Sequence, residues 1–473
     1  MIYLHWTLLT LYILAVAATI VAVLLDNRQP VKTMAWVMVL CFVPVVGIVL
    51  YFFFGQNTRK ERVISQLSLD QLTKRAMLEF VEQRGLFVPP EHRGLVQLFT
   101  NQSMALPFKD NEVTIYTNGH HFFLALLAAI GGARQSIHVD SYIFADDALG
   151  RLVSDALADK AREGVEVRVV YDDVGNWQVP HAFYENMRLQ GIEVHAFMPV
   201  KFPAFTSKMN YRNHRKVCVI DGAVGFIGGM NIALRYVKGN SSGPWRDTHL
   251  KIRGGAVYGL QRAFLIDWYF VDRTLISNRK YYPPITVPPN SCVAQIVTSS
   301  PVSPWPDIMQ GYVRILLAAK QYVYMESPYF LPTEPVLFAM RTAALAGIKV
   351  KLIIPLHTDA LLVQWASRSY VAEAAEAGVQ VYLYSKGFLH SKLLVSDDSL
   401  CSCGSTNVDF RSFENNFEAN AFFYHTPLAL RMKAVFEEDL KRCISFSQYQ
   451  QHARQPCAMR LWESVVRLLS PLL

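Results

Sequence analysis

The sequence predicts an α/β fold built twice: two units related by pseudo-twofold duplication, preceded by an N-terminal transmembrane helical hairpin. Three observations carry this expectation. The chain opens with two apolar stretches, Met1 to Leu25 and Thr33 to Gly55, that contain no Asp, Glu, Lys or Arg. The order strand, helix, strand, helix, strand then recurs in two places. One polar pattern, H-x-K-x4-D-x6-G-[GS]-x-N, stands once in each recurrence.

The apolar stretches come first, in residues 1–57. Each is long enough to cross a hydrocarbon core of about 30 Å as a helix. A signal peptide fits the first stretch poorly, because its start has no cationic residue and its apolar run is long. Pro44 and Gly47 interrupt the second, so a shallow re-entrant hairpin is the alternative to a full crossing. Arg59, Lys60 and Arg62 follow the second stretch, against Arg28 and Lys32 between the two. This bias places both termini and the large C-terminal region in the cytoplasm. Residues 58–110 read as a linker or N-terminal extension.

The first unit, 111–290, runs from Ser136–Phe144 through Gly164-Val165-Glu166-Val167 to Gly191-Ile192-Glu193-Val194. The second, 291–473, answers with Tyr322–Glu326, Gly347-Ile348-Lys349-Val350 and Gly378-Val379-Gln380-Val381. Gly before each strand is a helix stop, and the alternation argues a mostly parallel sheet covered by helices. An insert peculiar to the first unit, Lys201 to Lys208, mixes aromatics and cations; it reads as a headgroup-touching loop or an ordinary surface loop. The chain's end, Met459–Leu473, has the composition of an amphipathic helix for an anionic membrane surface, with a core-packing helix as the alternative.

Composition agrees. Of 473 residues, 52% are apolar and 12% aromatic, which excludes a disordered or low-complexity chain and leaves room for two or three cores. The net charge of +8 suits an anionic partner. Lys-rich tracts for nucleic acid are missing, so the expected partner is anionic membrane lipid and not nucleic acid. The seven Cys form no C-x2-C pair and read as reduced thiols, with Cys401 and Cys403 packing in a core.

The chemistry sits in the duplicated pattern. The first copy is His214-x-Lys216-x4-Asp221 running on to Gly228-Gly229-x-Asn231; the second is His390-x-Lys392-x4-Asp397 running on to Gly404-Ser405-x-Asn407. His and Lys two apart on a strand share one face, so imidazole and ammonium converge on one phosphate. Two copies face to face supply a nucleophile, a general acid/base and four donors for a charged, five-coordinate transition state. Neither His120-His121 nor Asp172-Asp173 has the further ligands of a metal framework, and no metal or other cofactor is expected.

These residues, with Tyr211-Arg212-Asn213 before His214, Pro244-Trp245-Arg246-Asp247 and Asn407-Val408-Asp409-Phe410-Arg411-Ser412, resemble the phospholipase D superfamily, and within it the bacterial cardiolipin synthases. The resemblance spans nearly the whole chain and is weakest from Gln56 to Asp110. It implies two phospholipase D-like α/β/α sandwich units and a metal-free phosphatidyl transfer between two phosphatidylglycerol molecules, giving cardiolipin and glycerol through a phosphatidyl-histidine. It further implies His214 as nucleophile and His390 as acid/base, with phosphate bound by Lys216, Lys392, Asn231 and Asn407. Asp221 and Asp397 complete the catalytic motifs and read as supports of the motif strands. Asp247 and Glu418 match the family carboxylates that orient the imidazoles. Phospholipases, nucleases and a catalytically dead membrane scaffold share the fold; the intact motif pairs argue against the scaffold, and the apolar hairpin against a nuclease. The oligomeric state has no signature in the sequence.

Overall fold

The computed structural model describes residues 2–25, 30–51, 86–200, 211–240, 243–452 and 456–471. The connector 26–29, the cations Arg59, Lys60 and Arg62, and the insert 201–208 lie outside the described residues. So, therefore, does the orientation argument built on those charges.

The chain forms two compact units: residues 1–62 with 200–211, and the remainder. In the first, α1 (Ile2–Leu25) is one uninterrupted helix, and its segment His5–Leu25 has a mean hydropathy of 2.7 and the length to cross a membrane. The second apolar stretch is broken into α2 (Pro30–Phe42) and α3 (Pro44–Leu50). Val43 leaves the helical region (φ −137°, ψ 63°) because the ring of Pro44 excludes it from continuing the helix. Both pieces touch α1. Among the described residues, then, only α1 is an unbroken apolar span, with the two shorter apolar helices against it.

The large unit holds two large sheets, of seven and eight strands, and two small two-stranded ones. The first half supplies β1 (Asn111–Tyr116), β2 (Ser136–Ser141), β3 (Glu166–Asp172), β4 (Glu193–Phe197), β5 (Lys216–Ile220), β6 (Val224–Gly228), β7 (Trp245–Arg246) and β8 (His249–Gly254). The second supplies β9 (Val293–Ser299), β10 (Tyr322–Glu326), β11 (Phe330–Leu331), β12 (Lys349–Pro355), β13 (Gln380–Tyr384), β14 (Phe388–Leu389), β15 (Leu393–Ser396), β16 (Leu400–Gly404), β17 (Val408–Asp409), β18 (Glu418–Tyr424) and β19 (Cys443–Ser445). The strand orders are β1-β8-β6-β5-β2-β3-β4 and β9-β18-β16-β15-β10-β12-β13-β19. Apart from the extra edge strand β19, they correspond strand for strand. The duplication is real in three dimensions.

The sheets are mixed and not mostly parallel. Within the two large sheets only β2-β3-β4 and β10-β12-β13 run parallel, joined by the helices that the glycine stops had suggested. Gly164, Gly191, Gly347 and Gly378 all have φ between 88° and 97°, the left-handed region a helix C-terminus uses. The motif strands pair antiparallel in tight hairpins, β5 with β6 and β15 with β16. Their turns place Asp221 and Gly222 at φ 52° and 63°, and Asp397 and Asp398 at 49° and 54°. Positive φ at both central turn residues matches the twist of a hairpin, and Asp and Gly tolerate it.

One core joins the halves. Val217, Val219, Ile227, Leu250 and Ile252 from β5, β6 and β8 pack with Leu393, Val395, Cys401, Cys403 and Phe423 from β15, β16 and β18. The inner faces of the two sheets thus meet, and the C-terminal ends of the motif approach segments fall at their shared edge. Cys401 and Cys403 are fully buried here, as core residues. The helix Arg93–Ser103 packs Leu95, Val96 and Phe99 into the core of the second half, and Gln295 Nε2 donates to the Val96 and Ala105 carbonyls at 3.1 and 2.7 Å. Residues 93–105 are therefore part of that domain's body.

The last helix, Cys457–Arg467, docks on the helix Leu361–Glu376 and buries Glu463 and Val466 there. Arg467 bonds Glu373 at 2.6 Å and lies 4.0 Å from the Tyr370 ring centroid, while Glu463 faces Arg368 at 3.7 Å. Leu461, Trp462, Val465 and Leu468 point outward, with Leu461 68% and Leu468 78% exposed. Trp365 and the exposed Leu361 and Leu362 extend this apolar surface.

Candidate active site

The two motif strands begin where their approach segments cross between halves. The Asn213–Phe417 bridge sets His214 beside β18, and its amide donates to the Phe417 carbonyl at 2.9 Å. In the second half β14 pairs with β7 of the first, and the His390 amide donates to the Arg246 carbonyl at 2.7 Å. Each imidazole therefore lies against backbone from the other half.

The carboxylates follow the same crossing. His214 Nδ1 lies 2.9 and 3.1 Å from the Glu418 oxygens, and His390 Nδ1 lies 2.7 Å from Asp247 Oδ2. A carboxylate on Nδ1 fixes the ring and leaves Nε2 as the working nitrogen. Lys216 and Lys392 each reach back to the carbonyl of their own His at 2.5 Å, and Lys392 Nζ also lies 2.9 and 3.2 Å from the two ring nitrogens of His390. All six side chains are buried.

The two carboxylates are held differently. Gly229 gives Asp247 room, since a Cβ there would stand 2.2 Å from Asp247 Oδ1. The corresponding Ser405 instead donates its hydroxyl to Glu418, and Asn416 adds a bond at 3.3 Å. Burial pushes Asp247 up to about 6, despite Lys392 and the Thr248 amide. Burial also works to raise Glu418, but His214, Lys216 and the Ser405 hydroxyl together hold it below the usual carboxylate range. This difference makes Glu418 the firmer anion and favours an Nδ1-protonated His214.

The cations are poised for an anionic ligand. Burial lowers Lys216 to about 7, against the pull of Glu418, and Lys392 to about 8, against that of Asp247. It brings His214 down to about 4. His390 falls well below its usual value by burial and by the charges of Lys392, Lys216 and His214. A bound phosphate reverses the sign of that field.

Asn231 and Asn407 are buried beside the motifs, though each is already partly engaged. Asn231 accepts from the Ile143 amide at 3.1 Å and donates to Tyr236 at 2.7 Å; Asn407 donates to Asp409 at 2.9 Å. Each amide group retains a second hydrogen. Asp221 accepts from the amides of Arg134, Gln135 and Ser136 at 2.7–3.2 Å, and Asp397 from those of Lys320, Gln321 and Tyr322 at 2.7–2.9 Å. They tie each hairpin turn to the neighbouring strand and do not meet the imidazoles, so they support the motif strands and touch no reacting group.

Aromatic and ionic neighbours complete the site. Tyr142 packs edge-on to His214 at 5.0 Å, while Trp245 and Tyr236 lie 5.4 and 5.8 Å from His390. Neither Tyr142 nor Tyr236 is marked by the motif pattern. Arg215, next to His214, is bound to Asp267; Arg246, next to Asp247, bonds Asp439 at 2.6 Å and faces Glu326 at 3.8 Å. These buried pairs pin the segments that carry His214 and Asp247.

Comparison with known proteins fits this geometry. The family described as "Cardiolipin synthase, PLD-like domain" matches residues 126–242 and 312–440, just over half of the chain and both motif copies. The chain belongs to that family. Membership in these cardiolipin synthases makes it a phosphatidyltransferase of phospholipid biosynthesis. Residues 13–56 match a second family, "Phospholipase_D-nuclease N-terminal". A cardiolipin synthase of Geobacillus kaustophilus (strain HTA426) is 40% identical over 95% of this chain and 90% of its own length. Major cardiolipin synthase ClsA of Bacillus subtilis (strain 168) is 36% identical over 98% of both. In fold, the chain is similar to phosphatidylserine synthase of Haemophilus influenzae Rd KW20, with a TM-score of 0.64, 13% identity and coverage of 81% of this chain and 100% of that one.

Proposed function

We propose that this cardiolipin synthase moves a phosphatidyl group from one phosphatidylglycerol to another, releasing glycerol. The observation that carries the reading is the pair of buried imidazole–carboxylate couples, each with its own lysine. His214 Nε2 attacks the donor phosphorus, and the phosphorus–oxygen bond to glycerol breaks as His390 delivers a proton to that oxygen. His390 then takes the proton of the acceptor's primary hydroxyl, which attacks phosphorus and expels His214. One phosphodiester replaces another, so no nucleotide is consumed. Lys216, Lys392, Asn231 and Asn407 hold the phosphoryl oxygens.

Protein with phosphatidylglycerol alone, with chelator and without CTP, is expected to release glycerol and form cardiolipin. Phosphatidic acid as the dominant product would make water the acceptor and the enzyme a phospholipase. The pH profile supplies a second check. With His214 near 4, kcat/KM is expected to fall as pH drops toward 4 and the nucleophile gains a proton. With Lys216 near 7 and Lys392 near 8, KM for the donor is expected to rise as pH passes 7–8 and the phosphate-binding charges are lost.

The chain is further proposed to be an inner-membrane protein anchored by its apolar hairpin, with catalytic units 111–290 and 291–473 on the cytoplasmic side. The outward apolar side of Cys457–Arg467 then enters the lipid interface. A nitroxide on Leu461→Cys, with exposed Cys41 and Cys457 changed to Ser, is expected to be more accessible to oxygen than to a water-soluble nickel complex in phosphatidylglycerol vesicles. Equal access of both relaxers would place that helix in water.

A further inference from the structure

Two anionic headgroups must meet in this site. Opposing them at close range is unfavourable, the more so in a medium of low dielectric constant, so the acceptor's phosphate needs cations of its own. Lys216 and Lys392 are committed to the reacting phosphate. Arg212, Arg215 and Arg246 face Asp172, Asp267 and Asp439. Two further cations sit on the segments that follow the motif asparagines, and among the described residues neither has a carboxylate partner.

They are Arg235 and Arg411. Each follows its motif asparagine by four positions, Asn231 and Asn407, so the duplication contributes one from each half. The Arg235 guanidinium lies 5.2 Å from the Trp245 ring and 5.9 Å from that of Tyr236, the two rings that pack against His390. Its Nε is buried without a hydrogen-bond partner among the described residues. Arg411 starts the helical turn Arg411–Asn415 just beyond β17. The charges of both arginines act on the hydroxyl of Tyr142, whose ring packs on His214. Both arginines are half-buried.

We propose that Arg235 and Arg411 together form a receiving site for the phosphate of the acceptor phospholipid. The proposal rests on the transphosphatidylation reading above and deepens it: the enzyme selects an alcohol that carries a phosphodiester over a neutral alcohol. Guanidinium suits the task because its planar fork donates two parallel bonds to phosphate oxygens.

The test lets two acceptors compete for one phosphatidyl-enzyme. Protein in mixed micelles of phosphatidylglycerol receives free radiolabelled glycerol, and two products are read: cardiolipin, from the anionic acceptor, and relabelled phosphatidylglycerol, from the neutral one. In Arg235→Gln/Arg411→Gln the ratio of cardiolipin to relabelled lipid is expected to fall about tenfold or more, the weight of charge-assisted bonds. The lysine double variant is expected to recover part of it. Because the ratio is internal, a partly misfolded sample still reports it. A ratio equal to that of the wild type, whether both products fall together or neither does, overturns the proposal. Wild-type protein that forms no cardiolipin instead fails the underlying reading, a result visible before any variant is made.

Discussion

Alanine in place of His214 or His390 is expected to lower cardiolipin formation by about a thousandfold or more, since each ring takes part in bond making or proton transfer in both half-reactions. The two variants should differ in what they accumulate. His390→Ala keeps the attacking ring, and with radiolabelled phosphatidylglycerol it is expected to build up a covalent phosphatidyl-protein that resolves slowly. His214→Ala is expected to form none. The opposite pattern exchanges the roles of the two histidines, and full activity in either single variant ends the paired-site reading. The asymmetry of the carboxylates underlies the assignment: Glu418 receives the Ser405 hydroxyl and stays ionised, whereas burial lifts Asp247 to about 6.

Neutralising those carboxylates is the second large effect. Glu418→Gln and Asp247→Asn preserve size but can turn an amide N–H toward Nδ1, which moves the ring proton to Nε2 and occupies the nitrogen that must react. The expected fall in kcat is ~10²–10⁴-fold, with little change in KM. Glu418→Gln should suppress formation of the phosphatidyl-protein itself. Because both positions are buried, thermal unfolding of each variant should be measured beside its kinetics. A kcat within twofold of wild type in either variant would show that the carboxylate does not orient its imidazole.

Much of this was legible in the residues. The duplication, the four motif cations and imidazoles, and the pairing of strands with glycine-stopped helices follow from local spacing, which a linear text preserves. The antiparallel motif hairpins were also written, in Asp221-Gly222 and Asp397-Asp398, but their turn signature is shorter than the α/β alternation that surrounds it and was outweighed. The resemblance named Asp247 and Glu418 without saying which ring each serves. That assignment depends on β7 meeting β14 and on Asn213 meeting Phe417, contacts between segments far apart in sequence. Arg93–Ser103 was obscured for a related reason: its apolar residues complete a core whose other walls lie some two hundred positions onward. The outward apolar side of the last helix was readable as amphipathic, but which side met the body required Arg368 and Glu373 as partners.

The crossing of carboxylates has a consequence for how such a chain can change. Because each repeat looks after its sibling's histidine, a substitution in one copy is judged by the chemistry of the other. The duplicates are thus bound to a common fate: they can diverge in their outer helices and loops, but neither can wander at its inner edge unless its twin moves with it. A fragment ending before residue 291 would carry a complete sequence motif and still lack the acid that aligns its own ring.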